Sequence, residues 1–372
     1  MIRRILYLVG LFFTATLVAH TLVTYSARTN LLMGNQYLLD DYSSIGGDKI
    51  AIAVTAAPLA FVASFIGGDR VVVYSLIPAG ADPHHFEPPT AFLVNSLSNV
   101  SIVLMTGPSH LIIESRISEL VQAGVIKAHI IDYRDYVRHG LTLLINPKTG
   151  KVNPHGYLFT YSGLLAVASS LAEVLGEVDP MRKDYYSDRL KEFRNMLLKD
   201  NQSVRKLLPG GIKVALFTPI LQYVISELGL KCTEILLQEP EAELSEGALK
   251  ELISDYSKGT FNVLLITDFM ATRYPKVLEL LKSSGIPYII IPISSLADTP
   301  HLIPAVVAGS LSNFKDIMLS KGYSVGNTDV GAFNMSEIPT TLAISEAILI
   351  AILAAIVAVQ RKFIESKVVG SE

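Results

Sequence analysis

One cysteine, Cys232, occurs in 372 residues. That excludes an intramolecular disulfide and a zinc cluster built on thiolates, and a cysteine so deep in the chain is not a lipid-bearing residue behind a signal sequence. A buried inert thiol is its default reading. Charge of one sign is also missing: 31 Lys and Arg against 34 Asp and Glu leave a formal net charge of −3. A nucleic-acid binder would carry a basic surplus or stripe. Charged residues make up only 17% against 50% hydrophobic, and the mean hydropathy is +0.42. Such a chain is too apolar to be disordered and more apolar than a wholly soluble one, which points to contact with membrane lipid.

The apolar runs sit at the two ends. Arg3 and Arg4 precede residues 5–23, whose only polar interruptions are Thr14, Thr16, His20 and Thr21. Residues 1–27 therefore read as a signal peptide or an N-terminal anchor. Residues 342–360 read as a transmembrane anchor followed by a tail, 361–372, that carries Arg361, Lys362 and Lys367. Basic residues on the terminal side of both runs put both termini in the cytoplasm if the first is uncleaved, and the main domain outside. Residues 322–341, rich in Gly, Ser, Asn and Thr and without a hydrophobic period, read as a stalk. Sequons at Asn99, Asn201 and Asn334 are compatible with an exported, glycosylated surface.

Between the ends, short β-branched runs alternate with helical stretches. The run at 70–77 is apolar and bounded by Gly and Pro, as a buried parallel strand is, and runs at 49–54, 101–106, 125–131, 213–217, 263–267 and 288–292 repeat the strand pattern. Helical patterns at 58–66, 109–123, 160–175, 245–256 and 274–284 separate them. The fold class is α/β: two lobes with parallel sheets flanked by helices, an N-terminal lobe at 47–175 and a C-terminal lobe at 211–321. One long rigid helix within 176–208 joins them. Asp179 and Pro180 suit its start, and Tyr186, Leu190, Phe193 and Leu197 recur on one face. Ligands of such lobes bind in the cleft at the carboxyl ends of the strands.

The densest polar cluster, Gly80-Ala81-Asp82-Pro83-His84-His85-Phe86-Glu87-Pro88-Pro89, follows the strand at 70–77. Prolines on both sides restrict the backbone and lower the entropy lost when an imidazole binds a metal. A second loop, Asn153-Pro154-His155-Gly156-Tyr157, also sets a His behind a proline. Neutral imidazole favours zinc and related transition metals; surface or hydrogen-bonded loop histidines are the other reading of the same residues. His110 reads as an ordinary helix-start residue, with a place facing the cleft as its alternative. His129 and His139 read as structural, and Glu239, Glu241 and Glu243 as a solvated acidic face.

Residues 49–89, with their Gly-Gly-Asp turn and their Gly-x-Asp-Pro-His-x-Phe-Glu-Pro loop, resemble the opening of the extracellular metal-binding proteins of zinc and manganese ABC transporters. The resemblance runs from about Lys49 to Pro292. It implies His84 as the first metal ligand and His155 as the second, with Asp268 at the end of a C-lobe strand as a further donor. It also exposes two departures: Thr218 stands where the family usually has a third His, and Ile291 where it has a late Asp. His85, Asp298 and His301 are the candidates to compensate.

The function this implies is a membrane-anchored solute-binding protein, not an enzyme. It would capture a divalent transition metal, zinc first and manganese next, as cargo and not as a catalytic cofactor, for an ABC permease and its ATPase. Affinity should fall at acid pH, because imidazole must be deprotonated to ligate. An alternative is a degenerate member that binds no metal and serves as a surface interaction or other-solute-binding protein. A minor one is a metal-dependent hydrolase with Glu87 as base.

Overall fold

The computed structural model describes residues 49–320 apart from 79, 80, 209, 240 and 241. The segments expected at 1–27, 322–341, 342–360 and 361–372 lie outside the described residues.

Four strands, β1 (Ile50–Val54), β2 (Val71–Ser75), β3 (Ile102–Leu104) and β4 (His129–Ile131), form a sheet in the order β2-β1-β3-β4. A second sheet takes β5 (Lys213–Leu216), β6 (Lys231–Ile235), β7 (Val263–Thr267) and β8 (Tyr288–Ile291) in the order β6-β5-β7-β8. All pairings in both sheets are parallel, and the two halves share one wiring. Strand β6 is not among the runs expected from the sequence. Its KCTEI segment is charged, partly exposed and at the sheet edge, where charge is tolerated and no apolar run is required.

Helices fill the crossovers: α1 (Ala57–Gly67), α2 (Thr90–Leu97), α3 (Ile112–Gln122) and α4 (Tyr133–Arg138) in the first half, then α5 (Tyr161–Val178) and α6 (Lys183–Arg205). The second half adds α7 (Gln222–Glu227), α8 (Glu246–Ser257), α9 (Asp268–Arg273), α10 (Pro275–Ser283) and α11 (Ile303–Ser320). Local sequence sets several starts. The Asp132 carboxylate accepts from the backbone N–H of Arg134 at 2.9 Å, and Asp135 answers with a bond from the Asp132 N–H, a reciprocal cap for α4. The Thr160 hydroxyl accepts from the Gly163 N–H at 3.0 Å and caps α5.

Helix α6 has 23 residues, about 35 Å at 1.5 Å per residue. It buries Tyr186, Phe193 and Leu197, with Leu190 half-buried, and packs on α1, α5 and α11. Arg189 donates to the carbonyl of Phe65 at 2.9 and 2.6 Å and lies over the Phe65 ring. Asp179 does not cap it. A 3-10 turn, Pro180–Arg182, intervenes, and the Asp179 carboxylate accepts instead from the Tyr186 hydroxyl at 2.9 Å.

The alternation of β1 divides the core. Ile52 and Val54 face a central cluster that also holds Leu216, Leu265 and Ile291 of the second sheet, together with Phe193 and Leu311, whereas Ala51 and Ala53 face a separate outer cluster. The central cluster is continuous through both halves. Because every strand is parallel, each sheet gathers its strand-to-helix loops at one end, and the strand order reverses beside β1 and β5, where open α/β sheets hold ligands.

Candidate metal centre

Two of these loops, together with the long segment between α4 and α5, bring imidazoles together. His84 lies in the loop after β2, His110 in the loop after β3, and His155 in the segment that leads to α5. One ring nitrogen from each lies within 4.8 Å of the other two. The ring centroids are 5.3 Å apart for His84 and His110, 5.4 Å for His84 and His155, and 4.7 Å for His110 and His155.

Each ring is set by its loop. The Asp82 carboxylate accepts from the backbone N–H of His84 at 3.0 Å, a local turn that the flanking Pro83 supports. Asn153 does the same for His155, accepting from its N–H at 2.9 Å, and its side-chain amide donates across to the carbonyl of Pro219 and to Gln222 Oε1, both at 2.9 Å. The next residue, Gly156, has φ +90, and a Cβ there would fall 1.8 Å from the carbonyl oxygen of Ile220. Only glycine fits that conformation and that approach. Tyr157 then donates its hydroxyl to the carbonyl of Thr106 at 2.7 Å, tying the His155 loop back to the end of β3.

His110 is held from below. Its Nδ1 lies 2.7 Å from the Thr106 hydroxyl, whose oxygen is 2.9 Å from both carboxylate oxygens of Glu114. Glu114 is fully buried and also accepts from the Thr55 hydroxyl and from the backbone N–H groups of Thr106, Gly107 and Leu111. Burial pushes its carboxyl up to about 7, and the hydrogen bonds from Thr55, Thr106 and Leu111 pull the other way. Burial pushes the His110 imidazole down to about 3, with the neighbouring His155 and His84 rings adding to it. That ring is neutral at physiological pH, the state in which imidazole ligates a metal. Nε2 of His110 faces Nδ1 of His155 at 3.1 Å, and Nε2 of His155 faces the Glu239 carboxylate at 3.1 Å. The bond from His155 holds the Glu239 carboxyl below the usual range.

Of the donors expected from the sequence, His84 and His155 meet, and the others are not members of the three-histidine group. Asp268 is turned to Ser294, accepting from its N–H at 3.1 Å and its hydroxyl at 3.0 Å. His85 is exposed and pairs with Asp82 at 2.9 Å. Asp298 is exposed on the loop before α11. His301 is buried and stacked on Phe61 with centroids 4.9 Å apart, and it is not a member of the three-histidine group. Thr218 is buried, and Ile291 is packed in the central core with no donor to offer. Glu87, the base of the hydrolase alternative, is 3.8 Å from Arg116 and exposed. Cys232 is pushed up to about 11 by burial, in keeping with an inert thiol.

Two residues escape the sequence reading. His110 reads there as an ordinary helix-start residue, and Glu239 as part of a solvated acidic run. A signal for His110 exists: it lies on the loop after the strand next to β1, at the point of strand-order reversal, with Glu114 four residues on. Glu239 has no such signal, since its position depends on the approach of the second half to His155.

Known proteins share this arrangement of sheets. The family model described as zinc-uptake complex component A, periplasmic, matches residues 52–298. The metal ABC transporter substrate-binding lipoprotein FimA of Streptococcus parasanguinis is 27% identical over 254 residues, 66% of this chain and 80% of that protein. The manganese ABC transporter substrate-binding lipoprotein PsaA of Streptococcus pneumoniae is 24% identical over the same shares. Among solved structures, a zinc-bound deletion mutant of ZnuA aligns with a TM-score of 0.59 at 24% identity, covering 72% of this chain and 98% of the other. The solute-binding protein FpvC of Pseudomonas aeruginosa in complex with Mn2+ aligns with a TM-score of 0.59 at 23% identity, covering 71% and 97%. The two like-wired parallel sheets are the fold of these structures, and the match to the family model takes in both of them: the chain belongs to the zinc-uptake complex component A periplasmic family.

Proposed function

We propose that this chain is the binding component of a metal importer: it captures a divalent transition metal outside the cell and hands it to an ABC permease driven by its ATPase. The observation that carries the reading is the convergence of His84, His110 and His155, with one ring nitrogen each inside 4.8 Å. Relatives named as metal and manganese ABC transporter substrate-binding lipoproteins support it. Zinc is the preferred cargo and manganese the second, because imidazole suits zinc and its neighbours whereas manganese favours oxygen donors. No catalytic step is involved.

The rest of the organisation follows the same reading. Lobes at 47–175 and 211–321 close on the ion with modest movement, since α6 packs on helices of both halves and resists a wide hinge. The terminal segments hold the protein at the membrane with its binding domain extracellular.

Calorimetry on the metal-stripped full-length chain, titrated with zinc, manganese and nickel at neutral pH, tests this. One-to-one zinc binding, tighter than manganese and lost in His84→Ala and His155→Ala, is the expected result. At about 100 times its dissociation constant the bound ion should stabilise the protein by about 2.7 kcal/mol. No binding by any of the three metals would overturn the reading in favour of a member that has lost its cargo.

A further inference from the structure

Thr218 and Ile291 leave the family's ligand pattern short, and the structure offers a different set of groups on the other side of the cleft. Resting on the metal-capture reading above, we infer that His110 is the third nitrogen donor, and that two buried or half-buried carboxylates position the rings: Glu114 acting on His110 through Thr106, and Glu239 acting on His155. The ion would then seat on the first half of the molecule and on the His155 loop, with the second half supplying an outer carboxylate.

Proton placement decides which nitrogens are free to ligate. An ionised carboxylate only accepts hydrogen bonds, so the 3.1 Å contact with Glu239 puts the ring proton of neutral His155 on Nε2. Its Nδ1 is then a lone pair, and that is the atom facing His110. On the other side, a Thr106 hydroxyl that donates to Glu114 presents its oxygen to His110 Nδ1, which must carry the proton. His110 Nε2 is then also a lone pair. Two lone pairs aimed at each other at 3.1 Å repel unless a cation lies between them. Two nitrogens each about 2.0–2.1 Å from one tetrahedral zinc are separated by about 3.3 Å, so the rings already stand close to a shared-ion spacing. Carboxylates and hydroxyls behind ligating imidazoles fix the tautomer in this way.

Without metal, one proton takes the cation's place. His110 carries it on Nε2 and donates to His155 Nδ1, and the Thr106 hydroxyl turns its hydrogen to His110 Nδ1. Glu114 keeps the bonds from Thr55 and from three backbone N–H groups. When the ion enters, the Nε2 proton leaves to water, a proton from water joins Nδ1, and the hydroxyl turns back to Glu114. His110 is neutral before and after, and its proton count does not change.

The test uses the full-length chain, stripped of metal, with zinc affinity read by competition against a chromophoric chelator. Wild type is compared with His84→Ala, His110→Ala, Thr106→Val and Thr106→Ser. His110→Ala and Thr106→Val are expected to weaken zinc binding, Thr106→Val by about 10- to 100-fold as for other outer partners of metal-bound histidines, while Thr106→Ser, which keeps the hydroxyl, stays near wild type. Nitrogen-15 histidine spectra of the zinc-loaded protein should show the His110 proton on Nδ1 and the His155 proton on Nε2. If His84→Ala loses zinc while His110→Ala and Thr106→Val bind like wild type, or if Thr106→Ser and Thr106→Val weaken alike, this inference fails and metal capture stands. If wild type binds no metal, the metal-capture reading fails and takes the inference with it. Should His110→Ala not fold, the Thr106 pair and the tautomer spectra decide.

Discussion

Tyr223, in the second half of the molecule, donates its hydroxyl to the carbonyl oxygen of Asn153 at 2.7 Å, two residues ahead of His155. The same hydroxyl oxygen accepts from the backbone N–H of Leu144 at 3.0 Å. The loop that carries His155 is thus fastened to one half while its ring meets an imidazole of the other. Tyr223→Phe removes both bonds and leaves a carbonyl and an N–H without their partner. The expected cost is about 1–3 kcal/mol, read by chemical denaturation, with weaker zinc binding alongside. Unchanged stability and unchanged affinity would show that the fastening is dispensable.

Gly156 offers a sharper lesion. Its φ of +90, and the mere 1.8 Å that would separate an alanine Cβ from the Ile220 carbonyl oxygen, leave no room for a side chain. Gly156→Ala should destabilise by more than about 1–3 kcal/mol, because backbone strain and a steric clash with main chain act together. Zinc binding should fall with it. A variant that melts at the wild-type temperature would contradict the loop geometry.

Asp268 gives the opposite expectation. Its carboxylate is used by Ser294 and is not a member of the histidine group. Asp268→Asn should therefore change zinc affinity by less than about tenfold, below the loss typical of a ligand's hydrogen-bonded partner. A larger loss in the chelator competition would return Asp268 to the coordination set.

His301 gives a pH dependence independent of metal. Burial against Phe61 lowers its imidazole to about 4 from the ordinary 6.5. Between those values the unfolded chain takes up a proton that the native ring refuses, so stability is lost as pH falls from 6.5 towards 4. The difference of about 2.5 units corresponds to about 3 kcal/mol. His301→Phe, which keeps the stacking and removes the titration, should flatten that part of the acid limb in urea titrations of metal-free protein between pH 7.5 and 4.5. Parallel curves for the two proteins would rule this out.

Much of the architecture is legible in short apolar runs. Residues such as Ile52, Val54 and Leu265 are buried between helices, and short runs rich in apolar and β-branched residues announce that environment. The edge strand β6 is hidden because one half-exposed strand does not need an apolar sequence. At the site, His84 and His155 stand out because proline brackets them and their motif is a known one. His110 does not, since nothing in Gly107-Pro108-Ser109-His110 distinguishes a helix start from a ligand until the Glu114 carboxylate is seen beneath it. Glu239 and His301 fail for a shared reason: their surroundings come from segments distant in the chain, Glu239 from the His155 loop, 84 residues away, and His301 from Phe61.

The continuous core has a consequence for how the protein is made. Ile52 and Leu104 of the first sheet share one apolar cluster with Leu216 and Leu265 of the second, and α6 lines it along its length. Neither half can bury that face alone. During synthesis the first sheet emerges well before its partner surface exists, and a truncated product would carry an exposed apolar wall of the kind that aggregates. The shared cluster therefore couples the two halves, so a single transition on denaturation is the expected outcome, and the binding loops between them are complete only when both halves are in place.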